Sequence, residues 1–284
     1  MSKLAFRRPA VAGAFYAASQ ESLRTQIIDC FKHKLGPGRL PSEPKESGIL
    51  SVVCPHAGYM FSGPSAAHSY LELGEQKLPE TVVIIGPNHT GWGTPVSVMR
   101  EGVWKTPLGE VTIDSGLADK IIDLSETARG DESAFIREHS VEVQLPFLQF
   151  IYPAFKFVPI CMGYQDLETS VELGRAIFEA SKDKEIIVIA SSDLTHQESK
   201  VSANKKDQYV LDAIQAMDEK KLQESVKKHR ISTCGYGPIS VTLVYSKLKG
   251  ATKAEVLSYY TSGDIIGDNS AVVGYASAKI TRER

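Results

Sequence analysis

Residues 49–54, 81–85 and 185–190 are short apolar runs, rich in β-branched side chains and without alternating polar positions. A strand with one wet face alternates, whereas one covered on both faces does not, so these runs predict strands of a parallel sheet packed between helices. Apolar positions at helical spacing separate them and predict helices over 64–73, 115–124, 138–151 and 167–180. An earlier helix over 21–35 is built on Leu23, Ile27, Ile28 and Phe31. Further strands are expected at 155–161, 254–260 and 271–280, while 96–99 and 111–113 suggest a smaller hairpin-type excursion. The alternation of strand and helix is that of an α/β fold with a mostly parallel central sheet. The Gly36-Pro37-Gly38 turn and the 41–44 segment lie so near the N-terminus that they mark a packed arm. Residues 1–284 are therefore expected to form one domain, with the arm and helix of 1–48 packed on it.

Composition narrows the class. A chain of 284 residues that is 42% hydrophobic can fill a core without disulfide or metal staples. With 32 basic against 34 acidic residues the net charge is −2, and no stretch gathers Lys and Arg around aromatics, which argues against a nucleic-acid partner. So little net charge allows association into a homo-oligomer. No run of 18 apolar residues is present, so no membrane span is expected. The stretch 1–10 carries Lys3, Arg7 and Arg8 without an apolar region, so no export signal is expected and the location is cytoplasmic by default. Cys30, Cys54, Cys161 and Cys234 form no C-x-x-C pair and are expected to be reduced.

The chemistry lies just after the three apolar runs. They continue into Cys54-Pro55-His56-Ala57-Gly58-Tyr59, Gly86-Pro87-Asn88-His89-Thr90-Gly91 and Ser191-Ser192-Asp193-Leu194-Thr195-His196. Ligand crevices of open α/β sheets lie beyond the carboxyl ends of the strands, so three such termini converge if the strands are neighbours. A fourth element, Ser232-Thr233-Cys234-Gly235-Tyr236-Gly237-Pro238, precedes the apolar-periodic stretch 239–248 and puts Cys234 near a helix N-terminus. The unpaired N–H groups there are expected to ease ionisation of the thiol.

Two imidazoles and one thiolate make a three-donor set with open positions for water or substrate. His56, His89 and Cys234 would supply the same single negative charge as the two-His-one-carboxylate set of non-haem iron oxygenases, while the softer sulfur also suits copper or zinc. Asp193 and His196 are then close but not ligating, with His196 as general acid/base and Asp193 orienting it or a bound water. His139 is expected in a helix-capping or supporting role, and Tyr59, Asn88, Tyr236 and Trp92 are candidates for lining the pocket. Cys30, Cys54 and Cys161 are expected in the core. His33, His68 and His229 fall on predicted helices without a partner motif.

At these residues the sequence resembles the Memo family, named for a mediator of receptor-driven cell motility. The resemblance runs from Arg8-Pro9-Ala10-Val11-Ala12-Gly13 through the CPHAGY, GPNHTG, EHSVEVQLPFL, SSDLTH and CGYGP segments to Ser262-Gly263-Asp264. It implies an α/β sandwich like the catalytic subunit of class III extradiol dioxygenases, in which two histidines and a glutamate hold ferrous iron and another histidine is the acid/base. On that resemblance His56 and His89 take the ligand positions, His196 the acid/base position, and Cys234 stands where the carboxylate ligand would be. The replacement argues against catechol dioxygenation, because thiolate donates more charge to iron and can itself be oxidised.

The resemblance further implies Fe(II) or copper binding with a redox or peptide-binding role and, for prokaryotic relatives, radical-enzyme and small accessory partners. Three readings follow. The first is a metal-dependent, dioxygenase-like oxidoreductase acting on a small molecule or an extended peptide in the pocket. The second is a non-catalytic peptide- or protein-binding module or metal carrier. The third is a metal-free hydrolase or transferase with Cys234 as nucleophile, His196 as base and Asp193 as orienter.

Overall fold

The structure is a computed structural model that describes residues 6–45 and 48–282; of the stretch read for an export signal, residues 1–5 lie outside the described residues. The chain runs β1 (Phe6–Arg7), α1 (Gln20–Lys32), β2 (Ile49–Cys54), α2 (Tyr59–Gly74), β3 (Thr81–Pro87), β4 (Val96–Val98), β5 (Val103–Thr106), β6 (Gly109–Ile113), α3 (Ser115–Leu124) and β7 (Ala128–Gly130). It continues through α4 (Leu145–Ile151), β8 (Lys156–Met162), α5 (Leu167–Ala180), β9 (Ile186–Ser191), β10 (His196–Glu198), α6 (Lys200–Gln215), α7 (Glu219–His229), α8 (Tyr236–Leu248), β11 (Lys253–Thr261), α9 (Ser262–Ile266) and β12 (Val272–Thr281). Short 3₁₀ turns at Ser133–Phe135 and Glu142–Gln144 precede α4. Ser19, Asp114, Asp166, Ser199 and Asp218 each accept a first-turn N–H through the side chain. These caps set where α1, α3, α5, α6 and α7 begin.

Strands β6, β8, β3, β9 and β2 lie side by side and parallel. β12 runs antiparallel against β2 and carries β11 and β10. The continuous apolar runs are explained by their two buried faces. Val82 and Ile84 enter the core shared with α1, α2 and α4, while Val83 and Ile85 enter the one shared with α3, α5 and α8. β2 divides likewise, Val52 and Cys54 facing the first core and Val53 a third core under α6, α7 and α8. The sheet is thus a mostly parallel layer between helices.

Several expectations need correction. The 96–99 and 111–113 segments do not form one hairpin: β4 joins β7 and the edge of β8, while β6 turns back on β5. α2 starts at Tyr59, before Pro64, and the helix passes through this proline despite its missing N–H. The helix expected over 138–151 is regular only from Leu145. The carboxylate of Glu138 accepts the backbone N–H groups of His139 and Ser140, which gives this segment a non-helical solution.

The arm packs tightly. α1 buries Leu23, Ile27, Cys30 and Phe31 against α2, and the Pro/Gly-rich connection is fastened where Ser42 donates from its backbone and hydroxyl to Glu75. Among the described residues no helix is long and apolar enough to cross a membrane.

Candidate metal centre

Because β3, β9 and β2 are parallel neighbours in that order, their last residues, Pro87, Ser191 and Cys54, open onto the same end of the sheet. The following loops carry His89, Asp193 and His56, and the turn before α8 brings Cys234 across from behind. Gly235, at the N-cap of α8, lets this turn approach closely: a Cβ there would sit 2.6 Å from the Ser191 carbonyl oxygen.

Donor atoms of His56, His89 and Cys234 all lie within 4.8 Å of one another. The Cys234 sulfur is 3.2 Å from His56 Nε2, and the His56 and His89 rings meet edge to face with centroids 5.2 Å apart. Around a tetrahedral ion, with nitrogen at about 2.0 Å and sulfur at about 2.3 Å, donors stand roughly 3.3–3.7 Å apart. Small side-chain adjustments reach that spacing. His56 is buried, whereas the His89 side chain is 33% exposed, so the centre opens to solvent on the His89 side.

Hydrogen-bond accounting assigns the tautomers. The Ser191 hydroxyl lies 2.6 Å from the Ser140 carbonyl, which only accepts, and 2.7 Å from Gln144 Nε2, which only donates. Its single proton therefore goes to Ser140, and His56 Nδ1 at 2.9 Å must bring its own. The His89 Nδ1 is 2.9 Å from the Glu138 carboxylate. Burial raises the Glu138 carboxyl, but the bonds from His89 and Ser140 hold it down at about 2, so it is an acceptor and His89 Nδ1 is the donor. In its neutral form each ring therefore carries its lone pair on Nε2, as a ligand nitrogen must. His89, Glu138 and His139 form a second cluster of potential donors. The Glu138 oxygens already take four N–H groups, from His89 Nδ1, the His89 backbone, His139 and Ser140, which accounts for that cluster as hydrogen bonding.

The remaining expected residues separate. His196 projects from β10, which is hydrogen-bonded to β12 with an irregularity at left-handed Gln197. Its Nδ1 lies 3.0 Å from the Ser232 carbonyl and must donate to it, leaving Nε2 free. Asp193 does not hydrogen-bond this ring; its Oδ1 accepts the His56 backbone N–H at 2.8 Å. The imidazole in contact with the Cys234 sulfur is His56, at 3.2 Å. His139 stacks on His89 at 4.6 Å, and burial lowers its affinity for a proton to a pKa of about 4. Asn88 shapes the His89 loop, accepting from Thr90 and Gly91 and donating to the Trp92 carbonyl. Tyr236 is the half-buried first residue of α8.

Two expectations fail on electrostatics and packing. Tyr59 turns into the core, with its hydroxyl on the Val143 carbonyl and its ring against Phe147, so it does not line the pocket. Cys234 does precede a helix, yet burial and the nearby Asp193 push its thiol well above the ordinary range. The easier ionisation expected from the helix terminus is outweighed.

Burial likewise drives His56 well below the ordinary histidine value, reinforced by His139, His89 and His196. Asp193 is pushed up to about 6 by burial, against the N–H groups of His56 and Ala57. With Nε2 of His56 unprotonated and the thiol neutral, that nitrogen at 3.2 Å and the Asp193 carbonyl at 3.6 Å are the acceptors within reach of the S–H.

Glu138, Ser191 and Gln144 were not singled out from the sequence. Glu138 adjoins His139 and Ser191 opens the SSDLTH segment, so the signal was adjacency to residues already chosen.

The chain matches the family described as Memo-like protein over residues 7–279. It is 50% identical over 280 residues to a MEMO1 family protein of Methanopyrus kandleri, covering 97% of this chain and 99% of the other. It is 49% identical over 276 residues to a MEMO1 family protein of Methanobrevibacter smithii, covering 95% and 98% respectively. Its fold is similar to the crystal structure of an uncharacterized Escherichia coli K12 protein, with a TM-score of 0.56 at 15% identity, over 82% of this chain and 99% of that one. By the match along nearly its whole length and the identity to these relatives, the chain belongs to the Memo-like family.

Proposed function

We propose that the chain binds one metal ion between His56 Nε2, His89 Nε2 and Cys234 Sγ, and uses the centre for redox chemistry on a small molecule or extended peptide. The observation that carries this reading is the pair of Nδ1–H groups committed to Ser191 and Glu138, which leaves two nitrogen lone pairs beside a sulfur. Fe(II) ranks first on the resemblance to the two-histidine-one-carboxylate iron centres, whose single negative charge this set matches, and copper or zinc are the alternatives because sulfur is softer than carboxylate. Bound there, iron or copper would supply one-electron and oxygen chemistry that side chains lack.

The chain's own groups divide the remaining work. His196 Nε2, free because Nδ1 is bonded to Ser232, is the atom to take or return a substrate proton. Asp193, pushed up to about 6, is the carboxyl that can hold a proton near neutral pH. His139 and the exposed edge of His89 form the polar side of the mouth. An oxidisable thiolate centre suits a reducing compartment, in line with a cytoplasmic location.

The test is elemental analysis of protein purified without an affinity tag and loaded anaerobically with Fe(II) or Cu(I). One metal per chain, lost in His89→Ala, is the expected result; unchanged stoichiometry in that variant defeats the ligand assignment. Oxygen consumption abolished by His196→Ala favours an oxidoreductase, and tight binding without turnover favours the carrier or docking module. Activity that survives complete chelation favours the thiol–imidazole reading, for which the 3.2 Å contact of Cys234 with His56 is the specific support.

A further inference from the structure

Both histidine supports depend on one short segment. Glu138 holds His89, while Ser140 and Gln144 fix the Ser191 hydroxyl that holds His56. The regular helix begins only at Leu145, so residues 138–141 owe their course to other bonds.

The Glu138 carboxylate supplies some of them, accepting from the His139 and Ser140 N–H groups, and the Ser140 hydroxyl donates to the Pro87 carbonyl. The N-terminal arm supplies a further set. Buried Arg7 donates from Nε to the Phe135 carbonyl, from Nη2 to the Glu138 carbonyl and from Nη1 to the Glu142 carboxylate, each at 2.7 Å, with its guanidinium 3.9 Å over the Trp104 ring. Glu142 also accepts the Ala10 N–H at 2.8 Å, the Val11 N–H at 3.0 Å and the Tyr16 hydroxyl at 2.7 Å. A buried ion pair adds little net stability over an apolar pair of the same volume. What a planar guanidinium fork adds is geometry, because its donors are fixed relative to one another.

We propose that Arg7 is a positioning residue of the metal centre: by gripping the backbone at 135 and 138 and the side chain of Glu142, it holds segment 138–144 so that His56 and His89 both present Nε2 to the sulfur. The inference rests on the metal-binding reading above. It makes the N-terminal arm, far from the donors in sequence, a determinant of metal affinity.

The test is anaerobic titration of the full chain with Co(II) alone, read by its thiolate charge-transfer and ligand-field bands. Alongside it, long-range ¹H–¹⁵N correlation of the metal-free protein reports the His56 and His89 tautomers. Arg7→Lys keeps a charge opposite Glu142 but loses the fork. It is expected to bind Co(II) about 10-fold more weakly, in the range for groups that support metal ligands, with altered bands and mixed tautomers. Arg7→Met should lose at least as much. The control is Lys184→Met, which breaks an ion pair with Asp114 at the opposite end of the sheet and should leave affinity and tautomers unchanged. If wild type binds Co(II) and Arg7→Lys matches it in affinity and tautomers, the inference is overturned while the metal reading stands. If wild type takes up no Co(II), both fall. Should Arg7→Met fail to fold, the Arg7→Lys result decides.

Discussion

Cys234 Sγ lies 3.2 Å from His56 Nε2, although 178 positions separate them in the chain. The thiol keeps its proton because burial and Asp193 raise its pKa, and the imidazole stays neutral because burial and neighbouring histidines lower its own. Metal binding must expel this proton, since only thiolate ligates.

Metal uptake near pH 7 should therefore release about one proton per ion. Calorimetry of Co(II) or Zn(II) binding in buffers of different ionisation enthalpy measures the number as a slope. Cys234→Ser should bind far more weakly and release close to none. A wild-type slope near zero would show that the sulfur does not ligate as a thiolate.

Ser191→Ala removes an oxygen with three partners, His56 Nδ1, Gln144 Nε2 and the Ser140 carbonyl. Leaving such buried groups unpaired should cost on the order of 1–3 kcal/mol in denaturant unfolding. Metal affinity should fall about 10-fold as the tautomer lock on His56 is lost. Ser51→Ala is the contrasting variant, because the buried Ser51 hydroxyl pairs with the Ser246 hydroxyl near the C-terminal end of α8, away from the donors. Equal effects of the two substitutions on affinity would remove Ser191 from its assigned role.

Much of this arrangement was legible because the strands are buried on both faces. β2, α3 and α5 coincide with the apolar pattern, and His56 and His89 stood out as histidines just past such runs. Segment 138–144 was hidden by its own periodicity: Val141, Leu145 and Leu148 are spaced as in a helix, although Glu138 caps the chain into another course. Arg7 was hidden because its partner Glu142 lies 135 positions away and both are buried, which composition alone never signals. Tyr59 was misplaced because the helix was expected only from residue 64, whereas α2 begins at Tyr59 and turns the ring inward.

The metal-free protein should lose stability as pH falls from about 6.5 toward about 4. Burial lowers the pKa of His139 to about 4, so over this interval the unfolded chain binds a proton that the folded chain refuses. The contribution is intact above the unfolded value, declines through the interval and levels off below the folded one, for a total on the order of 3 kcal/mol. His56 acts in the same direction, while Asp193, raised to about 6, acts oppositely because the folded chain takes its proton first. The comparison is therefore between wild type and His139→Phe, which retains a ring against Phe15 and His89. Urea unfolding at several pH values should show a shallower acid loss in the variant. Parallel curves would mean that His139 is not the group responsible.

Gly235→Ala tests whether the turn before α8 sets the sulfur's position. A Cβ there would meet the Ser191 carbonyl oxygen and the Ser192 Cβ, both at 2.6 Å, at the last residue of central strand β9 and the one after it, where there is little freedom to move. The turn must yield, and Cys234, whose carbonyl is held by Gln165 and whose N–H reaches the Asp193 carbonyl, moves with it. Overpacking of this kind costs roughly 1–3 kcal/mol, so the variant should still fold. Its affinity for Co(II) should drop at least 10-fold, and the thiolate charge-transfer band should weaken or shift. Gly250→Ala is the reference, because its φ of +83° imposes backbone strain in open space far from the sulfur. If Gly235→Ala binds Co(II) with an unaltered band while losing stability as Gly250→Ala does, the turn contributes packing alone and the sulfur is placed by other contacts.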